Sequence, residues 1–328
     1  EFVLTNTVSG DVWVFYSFDA NATVQGKLKE RTSLPWREAS GKEGVVYTYD
    51  INGTGALLQA TMGEGEDYSI SYDYNGTDLL STITVSDDQN TTIMKVEYRY
   101  YENQLTSYDV GYYGDLVQVK TSQLASDGTS WITRYTQYRY ASNNGRLKAV
   151  YDSDAIQRII DNNSNISTPL DILRKSDTYS TGGSAAIKAF ASRSYTYYTS
   201  AVTTNSINTP WQTPENLESR YGGTNVDESG MVKSETARGT SSGTCCGGGG
   251  EGSVTRYYSY MDQTGGTDIN EVKRIVVVDT VDANGTARKR TVYGLNDSGR
   301  KLREVTTDSP TSSPQYWCES WTFVDSTD

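Results

Sequence analysis

Histidine is missing from this sequence of 328 residues, and cysteine, proline and phenylalanine are scarce. Without histidine the chain lacks the commonest general acid–base side chain and the commonest imidazole ligand for metals. Ser-His-Asp catalysis and histidine-containing zinc sites are therefore excluded within this chain. The three cysteines cannot complete a four-cysteine zinc site either.

Long apolar runs are also missing. The run Ile275-Val276-Val277-Val278 is far below the ~20 apolar residues of a membrane-spanning helix, so it predicts a buried strand. We therefore expect no membrane span. The chain opens with Glu1 rather than Met, which predicts a processed or excised segment.

Positive charge is the third shortage. Lys and Arg number 29 against 41 Asp and Glu, giving a formal net charge of −12. A nucleic-acid binder needs a positive face, and the short run Arg288-Lys289-Arg290 lies among neutral and acidic residues, so we expect no nucleic-acid partner. Acidic clusters such as Asp87-Asp88 could hold Ca²⁺, but none matches a strong calcium loop. We interpret them as turn formers and expect no cofactor.

What the sequence does contain is tyrosine, with 26 copies, and glycine, with 30. Tyr and Thr favour strands, whereas Gly, Asn and Asp favour tight turns, so the mixture predicts many short strands joined by tight turns. Aromatic residues make up 11% of the chain and recur in alternating patterns, which excludes disorder for most of it.

A repeated unit organises these residues. It consists of an alternating aromatic strand, a turn and a second strand that begins near a leucine. Asn-Gly is a strong hairpin signal because both residues accept positive φ. The predicted repeat turns are centred on Asn52, Gly53, Asn75, Gly76, Asn144, Gly145, Asn296 and Gly299.

The repeated unit resembles the YD-repeat family, also called rearrangement-hotspot repeats. Tyr49-Asp50 and Tyr72-Asp73 match the first half of its motif, and Gly145-Arg146-Leu147 with Val150 and Asp152 matches the second half. The similarity covers residues from about 45 to 155 and from about 250 to 310. It implies an extracellular β-sheet that spirals on itself. The Asp-Pro-x-Gly-Leu signature of self-cleaving toxin shells is missing, so self-cleavage is not expected.

We therefore predict an all-β fold: a repeat-built, spiralling β-sheet, either a YD-like β-solenoid or a shell segment, with tyrosine-rich hairpins. A few short helices are expected in insertions, because Ile156, Ile159 and Ile160 have helical spacing. The predicted segments are an N-terminal strand or cap region (1–45), YD-like repeats (46–155), insertion-rich repeats ending in a Gly/Cys loop (156–252), and C-terminal YD-like repeats with a terminal strand (253–328).

The glycine-rich run near residue 250 carries adjacent cysteines. In an oxidising setting three cysteines can form one disulfide and leave one thiol. We favour a disulfide from Cys245 or Cys246 to Cys318 over a vicinal Cys245–Cys246 bond, while three reduced cysteines remain the alternative.

Asn-x-Ser/Thr sequons suggest a glycoprotein. The candidates that turn formation does not already explain are Asn21, Asn90, Asn165 and Asn284. A chain this rich in Asn, Ser and Thr also produces such motifs by chance, and we favour that interpretation.

These features predict a structural, extracellular or cell-surface protein and not an enzyme. We expect a subunit or segment of a fibre, sheath or surface layer, whose partner is a second copy, head to tail, or a neighbouring segment of a larger surface protein. Assembly would use terminal β-strands. The candidate assembly residues are Val12, Val14, Tyr16, Trp317 and Trp321.

Two other functions remain open. An adhesin, or glycan- or protein-binding surface module, would use exposed Trp317 and Trp321. A β-solenoid enzyme acting on polysaccharide would need paired carboxylates in a groove, and the sequence points to no such pair.

Overall fold

The architecture comes from a computed structural model. It describes residues 1–18, 20–33, 44–62, 68–101, 111–141, 145–181, 184–198, 206–207, 215–216, 224–225, 230–239, 252–262, 272–285, 287–307 and 317–321. Cys245, Cys246 and Asn144 lie outside these residues.

Strands dominate the described residues, as alternating Tyr, Thr and Val predict. Twenty-one strands are found there: β1 Phe2–Thr5, β2 Asp11–Phe15, β3 Leu28–Ser33, β4 Val45–Tyr49, β5 Leu57–Met62, β6 Tyr68–Tyr74, β7 Leu80–Asp87, β8 Thr92–Tyr100, β9 Leu116–Leu124, β10 Trp131–Tyr140, β11 Leu147–Tyr151, β12 Arg193–Tyr197, β13 Ser206–Ile207, β14 Glu215–Asn216, β15 Thr224–Asn225, β16 Val232–Arg238, β17 Ser253–Asp262, β18 Arg274–Asp282, β19 Ala287–Leu295, β20 Lys301–Thr307 and β21 Trp317–Trp321.

Backbone contacts divide the chain into two compact units. Unit 1 comprises Glu1–Tyr138 and Pro169–Lys175, and unit 2 comprises Arg139–Thr168 and Ser176–Asp328. The four predicted segments concern the repeat pattern instead, and they stay a prediction.

Unit 1 is an antiparallel meander. Each strand from β1 to β10 pairs with the next strand along the chain. Consecutive antiparallel strands need only short connections, which the abundant Gly, Asn and Asp supply. Most side chains on these strands are half-buried.

Unit 2 contains a second antiparallel ladder. β11 pairs with β12, β12 with β16, and β16 through β21 pair in sequence, while β15 pairs with the far end of β17. The short pair β13–β14 is separate from the ladder. The predicted strand Ile275–Val278 is part of β18, where Ile275 and Val277 pack with Val292 and Val305 in a buried cluster.

Short helices occupy the predicted insertion. α1 spans Ser153–Asn162 and α2 spans Pro169–Leu173, followed by a 3₁₀ turn at Ile187–Phe190. Asp152 caps α1, since its carboxylate accepts the Ala155 N–H at 2.9 Å. Ile156 and Ile159 are buried, which accounts for their helical spacing. The predictions of an all-β fold and of a few short helices are confirmed, whereas the spiralling solenoid stays a prediction.

Candidate functional site

The hairpin turns share one backbone device. The backbone N–H of the last residue before the turn donates to the carbonyl of the first residue after it. The carbonyl of that same residue accepts the backbone N–H of a turn residue with positive φ. In several turns the first residue is Asn or Asp, whose side-chain oxygen also accepts backbone N–H groups, as Asn75 does from Thr77 and Leu79 at 3.0 Å each. Such turns are G1-type bulges, which favour Gly or Asn at the left-handed position.

The predicted turn residues do lie in connections between strands. Asn52 and Gly53 lie between β4 and β5, Asn75 and Gly76 between β6 and β7, Gly145 between β10 and β11, and Asn296 and Gly299 between β19 and β20.

The conformation of two of these turns differs from the expectation. Asn75 and Gly76 do not have positive φ, because the left-handed residue of that turn is Asp78, at 59°. In the preceding turn it is Gly55, at 71°, rather than Asn52 or Gly53. The bulged turns are longer than the two-residue hairpins that Asn-Gly usually indicates, and they place the left-handed residue later.

Five tyrosine hydroxyls repeat a second device. Each lies near the end of a strand and donates to the backbone carbonyl of the first residue of the adjacent, preceding strand. We call these contacts the tyrosine latches: Tyr49 to Leu28 at 2.8 Å, Tyr74 to Leu57 at 3.1 Å, Tyr100 to Leu80 at 2.8 Å, Tyr197 to Leu147 at 2.7 Å, and Tyr260 to Val232 at 3.0 Å.

In unit 1 the latches join into a row. Leu57 is the ladder partner of Tyr49 and accepts the hydroxyl of Tyr74, while Leu80 is the ladder partner of Tyr74 and accepts the hydroxyl of Tyr100. Leu57 and Leu80 are thus each held by one tyrosine on each side. The row runs from β3 to β9 along one end of the meander.

The row corrects the sequence alignment of the repeats. Aligning Tyr49-Asp50 with Tyr72-Asp73 matches identical residue types that do not occupy equivalent positions in the structure. Tyr74 is the latch that corresponds to Tyr49, and Asn75 is the turn residue that corresponds to Asp50. The repeated unit is therefore shifted by two residues at its second copy, which keeps side chains on the same face of the strand.

Desolvation acts on the latch phenols. Burial raises the pKa of Tyr49, Tyr100 and Tyr197, with neighbouring tyrosines adding to the increase. A protonated phenol can donate the latch hydrogen bond and a phenolate cannot, so the shift keeps the latches intact to a higher pH than an unshifted phenol would.

The outer strand of unit 1 is β1. It pairs with β2 on one side, and in the described part of the chain no strand pairs with its other side. Its apolar side chains are unusually open, with Val3 63% and Leu4 59% exposed. Phe2 contacts the ring of Phe18 with centroids 4.6 Å apart, extending the apolar surface.

The predicted assembly residues Val12 and Val14 are wrongly placed for edge pairing. They lie in β2, which pairs with β1 on one side and β3 on the other, so its backbone has no open edge. Tyr16 follows β2 and bonds through its backbone N–H to Lys27. The alternating sequence pattern predicted a strand here but did not show that a second strand, β1, covers its edge.

At the other end of the chain, β21 contains Trp317, Cys318 and Trp321. Its backbone pairs with β20 and, among the described strands, with no other. The side chains of β21 lie outside the described residues, as do Cys245 and Cys246, so the disulfide stays a prediction.

The predicted glycosylation candidates are all on the surface. Asn21, Asn90, Asn165 and Asn284 are exposed. Asn21 donates through its side-chain amide to the Ile51 carbonyl at 3.0 Å, and Asn90 is the left-handed residue of its turn. These two have structural roles that explain them without a glycan.

A cleft of about 460 Å³ lies beside the tyrosine row of unit 1. Tyr98, Tyr100, Tyr101 and Tyr113 line it together with Arg99 and the β6–β7 turn. Within the residues that the structure describes, no cluster of acidic or cysteine side chains is arranged to hold a metal. No helix described is long and apolar enough to cross a membrane.

Comparison with known proteins finds no family model and no curated protein that matches this chain. The latches, the bulged turns and the outer strands are therefore the features from which a function is inferred.

Proposed function

We propose that this chain is a structural segment of an extracellular or cell-surface fibre, sheath or surface layer, built from YD-like repeats, and is not an enzyme. The observation that carries the proposal is the tyrosine row. It uses the most abundant aromatic residue to tie the neighbouring strands β3 and β4, β5 and β6, and β7 and β8 by a side-chain bond in addition to the ladder.

The energetic argument favours a mechanical role. A latch that bonds a tyrosine to a carbonyl contributes about 0.5–1.5 kcal/mol net, and cross-strand side-chain pairs contribute about 0.2–1 kcal/mol each. Repeated along a sheet, such terms resist separation of strands at every step. In repeat arrays each unit contacts mainly its neighbours, so stability grows with the number of units.

The proposed assembly uses the outer strands β1 and β21. An open, apolar edge pairs readily with another strand, and natural proteins usually protect such edges with charge or bulges. β1 of one segment would add to β21 of a second copy or of a neighbouring segment in a longer protein. A head-to-tail contact of this kind produces open filaments when its rotation does not close.

The test compares two single substitutions that each replace an exposed aliphatic side chain by lysine. Leu4→Lys adds a charge to the outer strand, whereas Val8→Lys adds the same charge in the turn beyond it. We expect wild type and Val8→Lys to form filaments or large oligomers in negative-stain images and size-exclusion chromatography, and Leu4→Lys to lose them. A wild-type chain that remains a dispersed monomer at all concentrations would refute the proposal.

A further inference from the structure

The cleft beside the tyrosine row lies between two neighbouring hairpin tips of unit 1. One tip is the β6–β7 turn, and the other is the connection from β8 to β9, of which Tyr101 and residues 111–115 are described. A β-carbon at Gly76 or Gly114, one glycine on each tip, would meet no described atom within 4 Å, so both rims are open. The volume of about 460 Å³ is within the range of ligand sites, ~300–1,000 Å³.

Tyrosine rings form the walls of the cleft, and they are of two kinds. Tyr100 and Tyr101 have structural roles, since their hydroxyls donate to backbone carbonyls at 2.8 and 3.0 Å. Tyr98 and Tyr113 are not held in this way, because neither hydroxyl has a hydrogen-bond partner among the described residues. Tyr113 is also 55% exposed. These two rings and their hydroxyls are therefore available to a ligand.

The polar groups of the cleft offer mainly hydrogen-bond donors. Asn75 uses its side-chain oxygen within the turn, where it accepts the Thr77 hydroxyl at 2.7 Å and two backbone N–H groups. The Ser81 hydroxyl donates to a backbone carbonyl at 3.1 Å. The backbone N–H of Gly76 and the guanidinium of Arg99 have no partner in the described part of the chain. Among the described residues that line the cleft there is no Asp or Glu.

This combination of aromatic surfaces with unpaired donors and no carboxylate defines the complementary ligand. Such a ligand has hydrogen-bond acceptors, few donors of its own and a flat apolar side. A polyproline II helix meets all three conditions, because proline has no N–H, the backbone carbonyls are solvated and the helix has no internal hydrogen bonds. Aromatic-lined grooves are a recurrent way to bind this helix, whose preformed shape keeps the entropy cost of binding low.

We infer that this cleft binds a proline-rich segment of a partner chain in the polyproline II conformation. The rings of Tyr98 and Tyr113 pack against proline rings, while the two hydroxyls, the Gly76 N–H and Arg99 donate to proline carbonyls. One turn of the helix contains three residues and is about 9 Å long. The site uses no residue of β1 or β21, so the inference goes beyond the proposed assembly and does not depend on it.

The experiment is isothermal titration calorimetry of the whole chain with decaproline whose two ends are capped. Tyr113→Ala removes an exposed ring of the cleft, and Tyr98→Phe removes a hydroxyl and keeps its ring. Tyr68→Ala is the matched control, since Tyr68 is 47% exposed and lies at the far end of β6, outside the cleft. A Gly-Ser peptide of the same length and polygalacturonate are the comparison ligands, and urea unfolding checks that each variant is folded.

We expect wild type and Tyr68→Ala to bind decaproline with affinities within about twofold of each other. Tyr113→Ala should bind at least about tenfold more weakly, and Tyr98→Phe about threefold more weakly. Because decaproline is uncharged, its affinity should change less than about twofold between about 50 and 500 mM salt.

Three results would overturn the inference. The first is no decaproline binding up to about 1 mM, or equal affinity for the Gly-Ser peptide. The second is equal affinity of Tyr113→Ala and Tyr68→Ala for decaproline. The third is tighter, salt-dependent binding of polygalacturonate, which would assign the cleft to an acidic ligand held by Arg99.

Discussion

The two units stabilise antiparallel ladders in different ways. Unit 1 has mostly half-buried strands joined by three latches in series. Among the described strand residues of this unit, only Val117 is completely buried. Unit 2 has two separate latches, at Tyr197 and Tyr260, and adds a buried aliphatic cluster around Val277 and a buried ion pair between Asp279 and Arg290. A ladder without a thick core needs side-chain bonds at the backbone, whereas a ladder with a core can rely on apolar burial.

The largest expected difference between the units lies in their ion pairs. Asp279 and Arg290 are cross-strand partners, 1% and 2% exposed at the side chain, and joined by bonds of 2.6 and 2.9 Å. Asp279→Ala leaves a buried guanidinium without its counter-charge, so we expect a loss of about 3–5 kcal/mol. In unit 1 the pair Lys120–Glu97 is about one-third exposed, and Glu97→Ala should cost no more than about 1 kcal/mol.

The measurement is the urea-unfolding free energy, with hydrogen exchange of β18–β19 and β8–β9 to assign the loss to a unit. Equal losses for the two variants would contradict the contrast between a buried and a screened pair.

The next difference concerns glycines of positive φ. Gly55 in unit 1 has φ +71°, and a β-carbon there would collide with the Thr23 carbonyl oxygen. Gly285 in unit 2 has φ +78° with open space around it. Gly285→Ala should therefore cost only the left-handed strain of about 1–2 kcal/mol, and Gly55→Ala should cost more. Thermal unfolding of both variants tests this, and a smaller loss at Gly55 would show that the turn relaxes freely.

The turns were the part of the fold most open to prediction from sequence. Asn, Asp and Gly determine turn geometry through contacts within a few residues, so Asn75 and Gly299 could be located without knowledge of the sheet. The exact left-handed residue could not be located, because it depends on a bulge that also involves the partner strand. For the same reason identical Tyr-Asp letters gave an alignment shifted by two residues.

The contacts between distant residues were not predictable from one sequence. Arg290 belongs to a short basic run in the sequence, and the register of β18 with β19 places it opposite Asp279 in the core. The latches correspond to a sequence pattern, Tyr-x-Tyr before a turn and Leu after it. The pattern alone does not show that a tyrosine hydroxyl bonds the carbonyl of a leucine in the preceding strand.

Removing a single latch hydroxyl is expected to have a modest effect. Tyr74→Phe removes the bond to Leu57 while keeping the ring, so we expect a loss of about 1 kcal/mol. In unit 1 the neighbouring latch Tyr100 acts on Leu80, the ladder partner of Tyr74, so the double variant should be non-additive by about 0.5 kcal/mol or more. Tyr74→Phe with Tyr197→Phe, which lie in different units, should be additive. Urea unfolding of the three single and two double variants tests both statements.

Ionisation of the latch tyrosines has the smallest expected effect on stability near neutral pH. It becomes measurable only at alkaline pH. Folding raises the pKa of Tyr49, Tyr100 and Tyr197 above the usual value of 10.0, so the protonated phenol is favoured in the folded state. The stability that this difference contributes is fully present below pH 10 and is lost as the pH rises through the folded-state values. Unfolding free energies should therefore stay flat up to about pH 9.5 and then fall. The combined Tyr49→Phe, Tyr100→Phe and Tyr197→Phe variant should start lower and fall less steeply, because three of its phenols no longer titrate. A wild type and a triple variant with the same alkaline slope would show that other groups, such as Tyr258 with its pKa raised to about 12 by burial and the adjacent Glu235, control the transition instead.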